Sequence, residues 1–232
     1  MGYDRKEEVG MDKVSLVADP FPPYQYLEGG RVVGLDCEVI RAAFRVQGIE
    51  TEISLHPWDE CLRIVKGGGS DGLFQIQPTP EREKEFLFSV LLRRARTVCL
   101  ENRAKPVDLG AYESLTQAVE NHSLGLVQGY SYDPTVDKLP GDKKTLFPEQ
   151  EDLLKGLSQS RVDLALMDQG VADHLARKLG LTKIRPAKGF EISRNLHLAF
   201  RKDLQELADL FNSGLARVEE TGERQRIYGQ LI

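Results

Sequence analysis

Residues 58–74, WDECLRIVKGGGSDGLF, contain the order of elements that decides the fold. The apolar residues Leu62, Ile64 and Val65 predict a helix that ends at three consecutive glycines, and an acidic residue and a strand follow. The same order returns at residues 151–167, EDLLKGLSQSRVDLALM, where a helix is followed by a polar turn and by the strand VDLALM. Two units with the same order of elements predict two similar lobes.

Strands alternate with helices along the rest of the chain. Short apolar runs at Val14–Ala18 and Leu124–Val127 predict strands. Asp36 is the expected N-cap of a helix that ends at Gly48, and Leu204–Val218 has the 3.6-residue periodicity of a final helix. This alternation predicts an α/β fold with mostly parallel sheets.

Composition excludes several classes of protein. The chain has 232 residues, which is enough for two hydrophobic cores, and 41% of them are hydrophobic. The net charge is -5 with both signs interspersed, so no basic patch predicts a nucleic-acid partner. No apolar run approaches the roughly 20 residues that span a bilayer, which predicts a soluble protein. Met1–Lys13 lacks the apolar middle of a secretory signal, so the protein is cytoplasmic or its signal lies outside this sequence.

Motifs for catalysis, metal binding or phosphate binding are missing from the sequence. The four histidines lie far apart without an HExxH pattern, and neither GxSxG nor GxxxxGK[ST] occurs. The glycines at 67–69 follow a helix rather than a strand, so they predict a helix end and not a phosphate loop. The three cysteines have no CxxC spacing, which favours buried thiols over a Cys37–Cys61 disulfide. No catalytic residue, metal or cofactor is expected.

Five segments carry motifs in a fixed order. They are Asp19–Tyr24 with Gly34–Asp36, Trp58–Asp59 with the turn ending at Asp71, Thr79–Arg82 followed by Phe86, Phe88 and Ser89, Arg161–Asp168, and Phe200–Asp203 through Gly222 to Tyr228. With this order and spacing, the chain resembles the amino-acid-binding family of periplasmic solute-binding proteins that serve ABC transporters. It departs from that family at Leu35, where an aromatic residue is usual. It also departs at Gln75, Gln77 and Pro78, where small hydroxyl residues are usual and the segment is one residue shorter.

The resemblance implies two α/β lobes that are joined by two crossover strands and close on a solute in a cleft by a hinge. Lobe 1 would contain residues 1–101 and 195–232, and lobe 2 residues 102–194. The implied function is capture of a small polar solute, an amino acid or a derivative, by a periplasmic monomer that delivers it to an ABC transporter permease. The alternatives are an enzyme on the same fold, similar to cyclohexadienyl or arogenate dehydratases, and a ligand-sensing domain without a transporter.

Two charged residues are the main candidates for binding an amino acid, because a dry site must replace water around a carboxylate and an ammonium. Thr79 as N-cap and Pro80 at the first helical position place Arg82 in the first turn of a helix. Its guanidinium suits a carboxylate, although Arg82 is otherwise one of several solvated charges. Asp168 follows an apolar strand, at the end where α/β folds bind ligands, and its alternative role is an N-cap.

Five further residues complete the predicted site. Trp58 and Phe21 would clamp the apolar part of the solute, although each can instead belong to the core. Tyr130 and Ser131 follow a predicted strand, where backbone amides and the Ser131 hydroxyl can hold an anionic group unless the segment is a simple turn. Gln75 is a candidate contact because its amide changes the volume and the hydrogen-bond donors of the pocket.

Overall fold

The computed structural model describes residues 12–231, along which strands and helices alternate. The strands are β1 (Lys13–Ala18), β2 (Tyr26–Glu28), β3 (Arg31–Val33), β4 (Glu50–Leu55), β5 (Gly72–Ile76), β6 (Phe86–Phe88), β7 (Arg93–Asn102), β8 (Leu124–Val127), β9 (Lys144–Phe147), β10 (Leu164–Asp168) and β11 (Ile184–Arg201). The helices are α1 (Leu35–Arg45), α2 (Trp58–Lys66), α3 (Pro80–Glu85), α4 (Leu115–Ala118), α5 (Pro134–Asp137), α6 (Gln150–Ser158), α7 (Gln169–Lys178), α8 (Gln205–Glu220) and α9 (Glu223–Tyr228).

The described chain forms two compact units. Unit 1 comprises residues 12–93 and 196–230, and unit 2 comprises residues 94–195. The chain passes from unit 1 to unit 2 within β7 and returns within β11. The predicted lobe boundaries, after residues 101 and 194, fall within the same two strands, and the first lies later in β7 than the observed division.

Unit 1 contains a sheet in which β1 is central. It pairs in parallel with β4 on one side and with β5 on the other. The end of β11 runs antiparallel to β5, and β6 runs antiparallel to β11. The separate hairpin of β2 and β3 lies between β1 and α1 in sequence. The three parallel strands therefore share one carboxyl edge.

Unit 2 repeats the strand order of unit 1. Its first parallel strand, β8, pairs with β9 on one side and with β10 on the other, both in parallel. β7 then pairs antiparallel with β10, as β11 does with β5 in unit 1. The two predicted α/β units are therefore present and have the same topology.

Helix α8 packs against α1 in unit 1. The two helices approach closely at Gly214, where an added Cβ would lie 2.0 Å from the carbonyl oxygen of Ala43. Phe44, Phe200 and Phe211 meet beside this contact, with the Phe44 and Phe211 ring centroids 5.1 Å apart. The helix that follows β11 thus completes the core that the N-terminal half of the chain begins.

The predicted N-cap of α1 is wrong. α1 begins two residues earlier than predicted, after Gly34, and Asp36 lies in its first turn with no exposed surface. Gly34 adopts φ 127, and an added Cβ would lie 2.3 Å from the carbonyl oxygen of Tyr24, so the loop before α1 requires glycine. α2 likewise begins at Trp58, after Pro57, so Asp59, a candidate cap by its type and place in the sequence, lies inside the first turn.

The three cysteines are buried free thiols, as expected. Burial raises the pKa of Cys37 and of Cys99 to about 12, which keeps both thiols protonated and unreactive. Among residues 12–231, no helix has both the length and the apolar character needed to cross a membrane.

Candidate functional site

Four predicted site residues lie at the carboxyl edge of the unit 1 sheet. Phe21 follows β1, Trp58 follows β4, Gln75 lies near the end of β5 and Arg82 follows in α3. Because the parallel strands end at the same edge, sequence segments that are far apart meet there, as they do at ligand sites in other α/β folds.

Arg82 is held by its own helix and by Trp58. The Thr79 hydroxyl accepts a hydrogen bond from the backbone amide of Arg82 at 3.3 Å, and Pro80 occupies the first position of α3, as predicted. The guanidinium carbon lies 5.5 Å from the Trp58 ring centroid, and Nη1 donates to the carbonyl of Gln77 at 3.1 Å. The guanidinium therefore has a defined position with donors left for a ligand.

Trp58 and Phe21 are both half-buried. Trp58 packs against a core cluster that includes Cys61 and Val65, so it contributes to the core as well as to the Arg82 contact. The Phe21 ring stacks on Tyr24 with centroids 6.1 Å apart and an angle of 14°. Each ring is supported on one side and only partly covered, so contact with a solute stays a prediction.

Gln75 belongs to a buried polar network. Its Nε2 donates to Gln25 Oε1 at 2.9 Å and, more weakly, to Asp36 Oδ2 at 3.4 Å. Asp36 also accepts from Arg93 Nε at 3.1 Å and from the Tyr228 hydroxyl at 2.9 Å. Burial and the Asp36 charge raise the pKa of Tyr228 well above its ordinary value, so that hydroxyl remains a donor.

Asp19 is a candidate that the sequence analysis missed. It directly follows β1 at the carboxyl edge of unit 1, and burial raises the pKa of its carboxyl group. Its backbone carbonyl accepts a hydrogen bond from Gln25 Nε2 at 3.1 Å. The rule that selected Asp168, an acid directly after an apolar strand, applies equally to Asp19 and would have found it.

Asp168 lies at the corresponding edge of unit 2, as the last residue of β10. Its carboxylate caps α7 by accepting from the Val171 amide at 3.2 Å, which is the alternative role considered from sequence. The residue is buried, with 9% of its surface exposed. Capping uses only part of the acceptor capacity of a carboxylate, so it is compatible with binding an ammonium.

Tyr130 and Ser131 follow β8 at the same edge of unit 2. Tyr130 is 47% exposed, and its hydroxyl accepts from Gln150 at 2.8 Å. The Ser131 hydroxyl donates to Asp137 Oδ2 at 2.7 Å, and the next backbone amide donates to Asp137 Oδ1. Asp137 therefore occupies donors that were predicted for an anionic solute group, and a role for Ser131 in binding an anion stays a prediction.

Each of the two carboxyl edges carries one charged residue of the predicted site, Arg82 in unit 1 and Asp168 in unit 2. In unit 1, Arg82 contacts Trp58, and hydrogen bonds to Gln25 connect Phe21 with Gln75. In unit 2, Asp168 is the last residue of one of two paired parallel strands, and the Tyr130–Ser131 turn follows the other. Such edges can bind charged groups by hydrogen bonding and ion pairing. Within residues 12–231, no group of three or more His, Cys, Asp or Glu side chains is placed to hold a metal.

A family model for bacterial extracellular solute-binding proteins, family 3, matches residues 14–231. The chain belongs to this family. Its members are binding proteins, and the match covers both units, so the resemblance found in the sequence is confirmed.

Relatives of this solute-binding protein have names that specify ligands. The arginine-binding extracellular protein ArtP of Bacillus subtilis (strain 168) is 26% identical over 212 residues, which cover 89% of this chain and 80% of ArtP. Among solved structures, the amino acid ABC transporter substrate-binding protein AbpA of Streptococcus pneumoniae, bound to L-arginine, has a TM-score of 0.70 and 21% identity, with 95% and 94% of the two chains covered. A histidine kinase sensor domain with similarity to periplasmic binding proteins has a TM-score of 0.73 and 22% identity, covering 95% and 96%. These structures show the fold.

Proposed function

We propose that this solute-binding protein captures an amino acid with a cationic side chain and delivers it to an ABC transporter permease. The observation that carries the proposal is the pair of opposite charges at corresponding edges, with Arg82 in unit 1 and Asp168 in unit 2. Arg82 would bind the α-carboxylate through its planar fork of donors, and Asp168 would bind the α-ammonium. Each charge thus has a partner in a zwitterion, as burial of charged groups requires.

Asp19 supports a cationic side chain on the solute. Burial raises the pKa of its carboxyl group, so a cation beside it would stabilise the charged form. An arginine or lysine side chain would supply that cation, and the rings of Trp58 and Phe21 would cover its methylene groups. The names of ArtP and AbpA, both linked to arginine, are consistent with this choice.

The remaining parts of the proposal rest on family membership. Relatives with extracellular names support a periplasmic location, and the AbpA name supports association with an ABC transporter permease. We infer that the protein acts as a monomer and is not an enzyme. Incubation with arogenate or prephenate tests the second inference, because dehydration of either compound would reveal a dehydratase.

Calorimetry on charge variants tests the binding site. Arg82→Ala and Asp168→Asn are each expected to weaken binding of L-arginine by about 2–5 kcal/mol, because each leaves a charged solute group without its partner. Asparagine is as good an N-cap as aspartate, so Asp168→Asn removes the charge without removing the cap of α7. The melting temperature of that variant without solute should therefore stay close to that of the wild type.

Matched controls use exposed residues of the same type in the same units. Arg63→Ala removes an exposed arginine from α2, and Asp142→Asn removes an exposed aspartate from unit 2. Both should leave the affinity unchanged. If L-arginine, L-lysine and L-histidine all fail to raise the melting temperature of the wild type, the proposed solute class is wrong. Unchanged affinity in both charge variants would reject the assigned residues.

A sensing role is the second candidate. It is favoured by the structural similarity to a histidine kinase sensor domain. The two roles share the binding chemistry and differ in the partner that the loaded protein contacts. Permease and ATPase genes beside the gene for this protein would support transport, whereas a neighbouring kinase gene without them would support sensing.

A further inference from the structure

A β-bulge places Gln75 in an unusual backbone conformation. In the pairing of β5 with β11, Ile76 lies opposite His197 and Phe74 opposite Leu198, so Gln75 has no opposite residue. Gln75 also has φ 62, in the left-handed region that side chains other than Asn and Gly seldom adopt. Bulges re-aim side chains beside functional sites, and this one turns the Gln75 amide out of the strand pairing.

Neighbouring hydrogen-bond acceptors determine the orientation of the Gln75 side-chain amide. The buried Gln25 donates from Nε2 to the Asp19 carbonyl, which can only accept, so Gln25 Oε1 is the acceptor that faces Gln75. Gln75 therefore donates from its own Nε2 to Gln25 Oε1 at 2.9 Å. The Asp36 carboxylate, held by Arg93 and Tyr228, is a second acceptor on the same nitrogen. The reverse orientation would place the Gln75 carbonyl oxygen against two acceptors.

We propose that Gln75 determines the solute specificity of the carboxyl edge of unit 1 by presenting its carbonyl oxygen Oε1 as a fixed acceptor for the cationic end of the solute side chain. The proposal rests on the proposed function and specifies the chemistry of the same site. Because Gln75 Nε2 donates to Gln25 and to Asp36, the side-chain amide presents an acceptor to the solute rather than a donor. A guanidinium, which has five N–H donors and no acceptor, matches this edge, and a group that presents a carbonyl there does not.

A purely structural role for Gln75 is the competing interpretation, because its nitrogen also helps to satisfy Asp36. The two interpretations differ in what Gln75→Asn should do. Asparagine tolerates the left-handed region better than glutamine but is one methylene shorter, so it cannot both reach the network and present the acceptor. A structural role predicts a change in stability alone. A specificity role predicts a change in the ratio of affinities for two solutes.

The experiment measures calorimetric affinities of the full chain for L-arginine and for L-citrulline, which has the same length but a neutral ureido group. We expect the wild type to prefer L-arginine. Gln75→Asn should lower the affinity for L-arginine by about 10- to 100-fold, the range for loss of a hydrogen bond to a charged group. Its affinity for L-citrulline should change by less than about threefold, well below that range. Gln205→Asn, on the exposed first turn of α8, is the matched control and should change neither affinity.

If the asparagine variant fails to fold, Gln75→Gly provides a second test of the solute preference. Glycine adopts the positive φ without strain, and it removes the side-chain amide. A reduced preference for L-arginine in either variant supports the proposal. An unchanged ratio, or equal binding of both solutes by the wild type, overturns the role of Gln75 and leaves the proposed function intact. Failure of the wild type to bind any amino acid overturns the proposed function, and the specificity proposal with it.

Discussion

Replacing Asp36 by asparagine is expected to destabilise the folded chain by about 3–5 kcal/mol, the loss seen when one partner of a buried ion pair is removed. Asp36 has no exposed surface, and Arg93 is 6% exposed, so water cannot replace the lost charge. The Arg93 Nε atom lies 3.1 Å from Oδ1 and 3.3 Å from Oδ2 of the same carboxylate. Asparagine keeps the shape of the side chain but removes the negative charge that Asp36 places beside the guanidinium.

Two further variants calibrate this magnitude. Tyr228→Phe removes one neutral donor to the Asp36 carboxylate at 2.9 Å and should cost about 1.5–3 kcal/mol, the range for a hydrogen bond to a charged group and below the loss for Asp36→Asn. Glu38→Gln removes the other acid from the first turn of α1, where it is exposed, and should cost at most about 1 kcal/mol through the helix dipole. The difference between Asp36 and Glu38 isolates the effect of burial.

Urea unfolding followed by tryptophan fluorescence is a suitable assay. Trp58 is the only tryptophan of the chain, and it packs against the core of unit 1, so its signal reports the unit that contains Asp36. The free energy of unfolding is extrapolated to water, and the slope should stay constant across the variants. If Asp36→Asn loses no more than Glu38→Gln, the buried ion pair is not a major source of stability.

Two more predictions concern positions in unit 1. Gly34→Ala should abolish soluble expression or lower the melting temperature far more than Gly29→Ala, because a Cβ at Gly34 would lie 2.3 Å from the Tyr24 carbonyl oxygen, whereas at Gly29 it would meet nothing within 4 Å. Comparable melting temperatures would contradict the requirement for glycine. Asp19→Asn should stabilise the protein without solute at pH 7, because burial raises the folded-state pKa of Asp19 and makes its charged form unfavourable. For this acid, stability is fully present below the ordinary pKa of about 4 and is lost as pH rises through the raised folded pKa, so the advantage of asparagine should vanish near pH 4.

Features that depend on neighbouring residues were predicted from the sequence. The limits of β8 agree with prediction, and the cap by Thr79 that sets the first turn of α3 is present. In each case the information lies within a few residues, in an apolar run or in a Thr-Pro pair. The α/β class also followed, because alternating helices and strands leave few other arrangements.

Features that depend on distant partners were not predicted. Asp36 has the residue type and the position of an N-cap, but its carboxylate bonds to Arg93, 57 residues away, and to Tyr228, 192 residues away. Nothing local to Asp36 indicates these partners. The bulge at Gln75 likewise depends on the register of β11. The sequence marked Gln75 as a departure from the family but could not indicate which end of its amide is free.

The departure at Gln75 also limits what relatives can say about the solute. A small hydroxyl can donate or accept and can rotate to suit either group, so relatives with hydroxyls there can adapt to different partners. The Gln75 amide is fixed by Gln25 and Asp36, and neither of these neighbours can reverse its role without leaving a buried polar group unsatisfied. A strained backbone and two hydrogen bonds from Nε2 therefore hold one acceptor in place. Such rigidity favours a narrow solute range, because a solute that lacks a donor at this position leaves the acceptor unpaired.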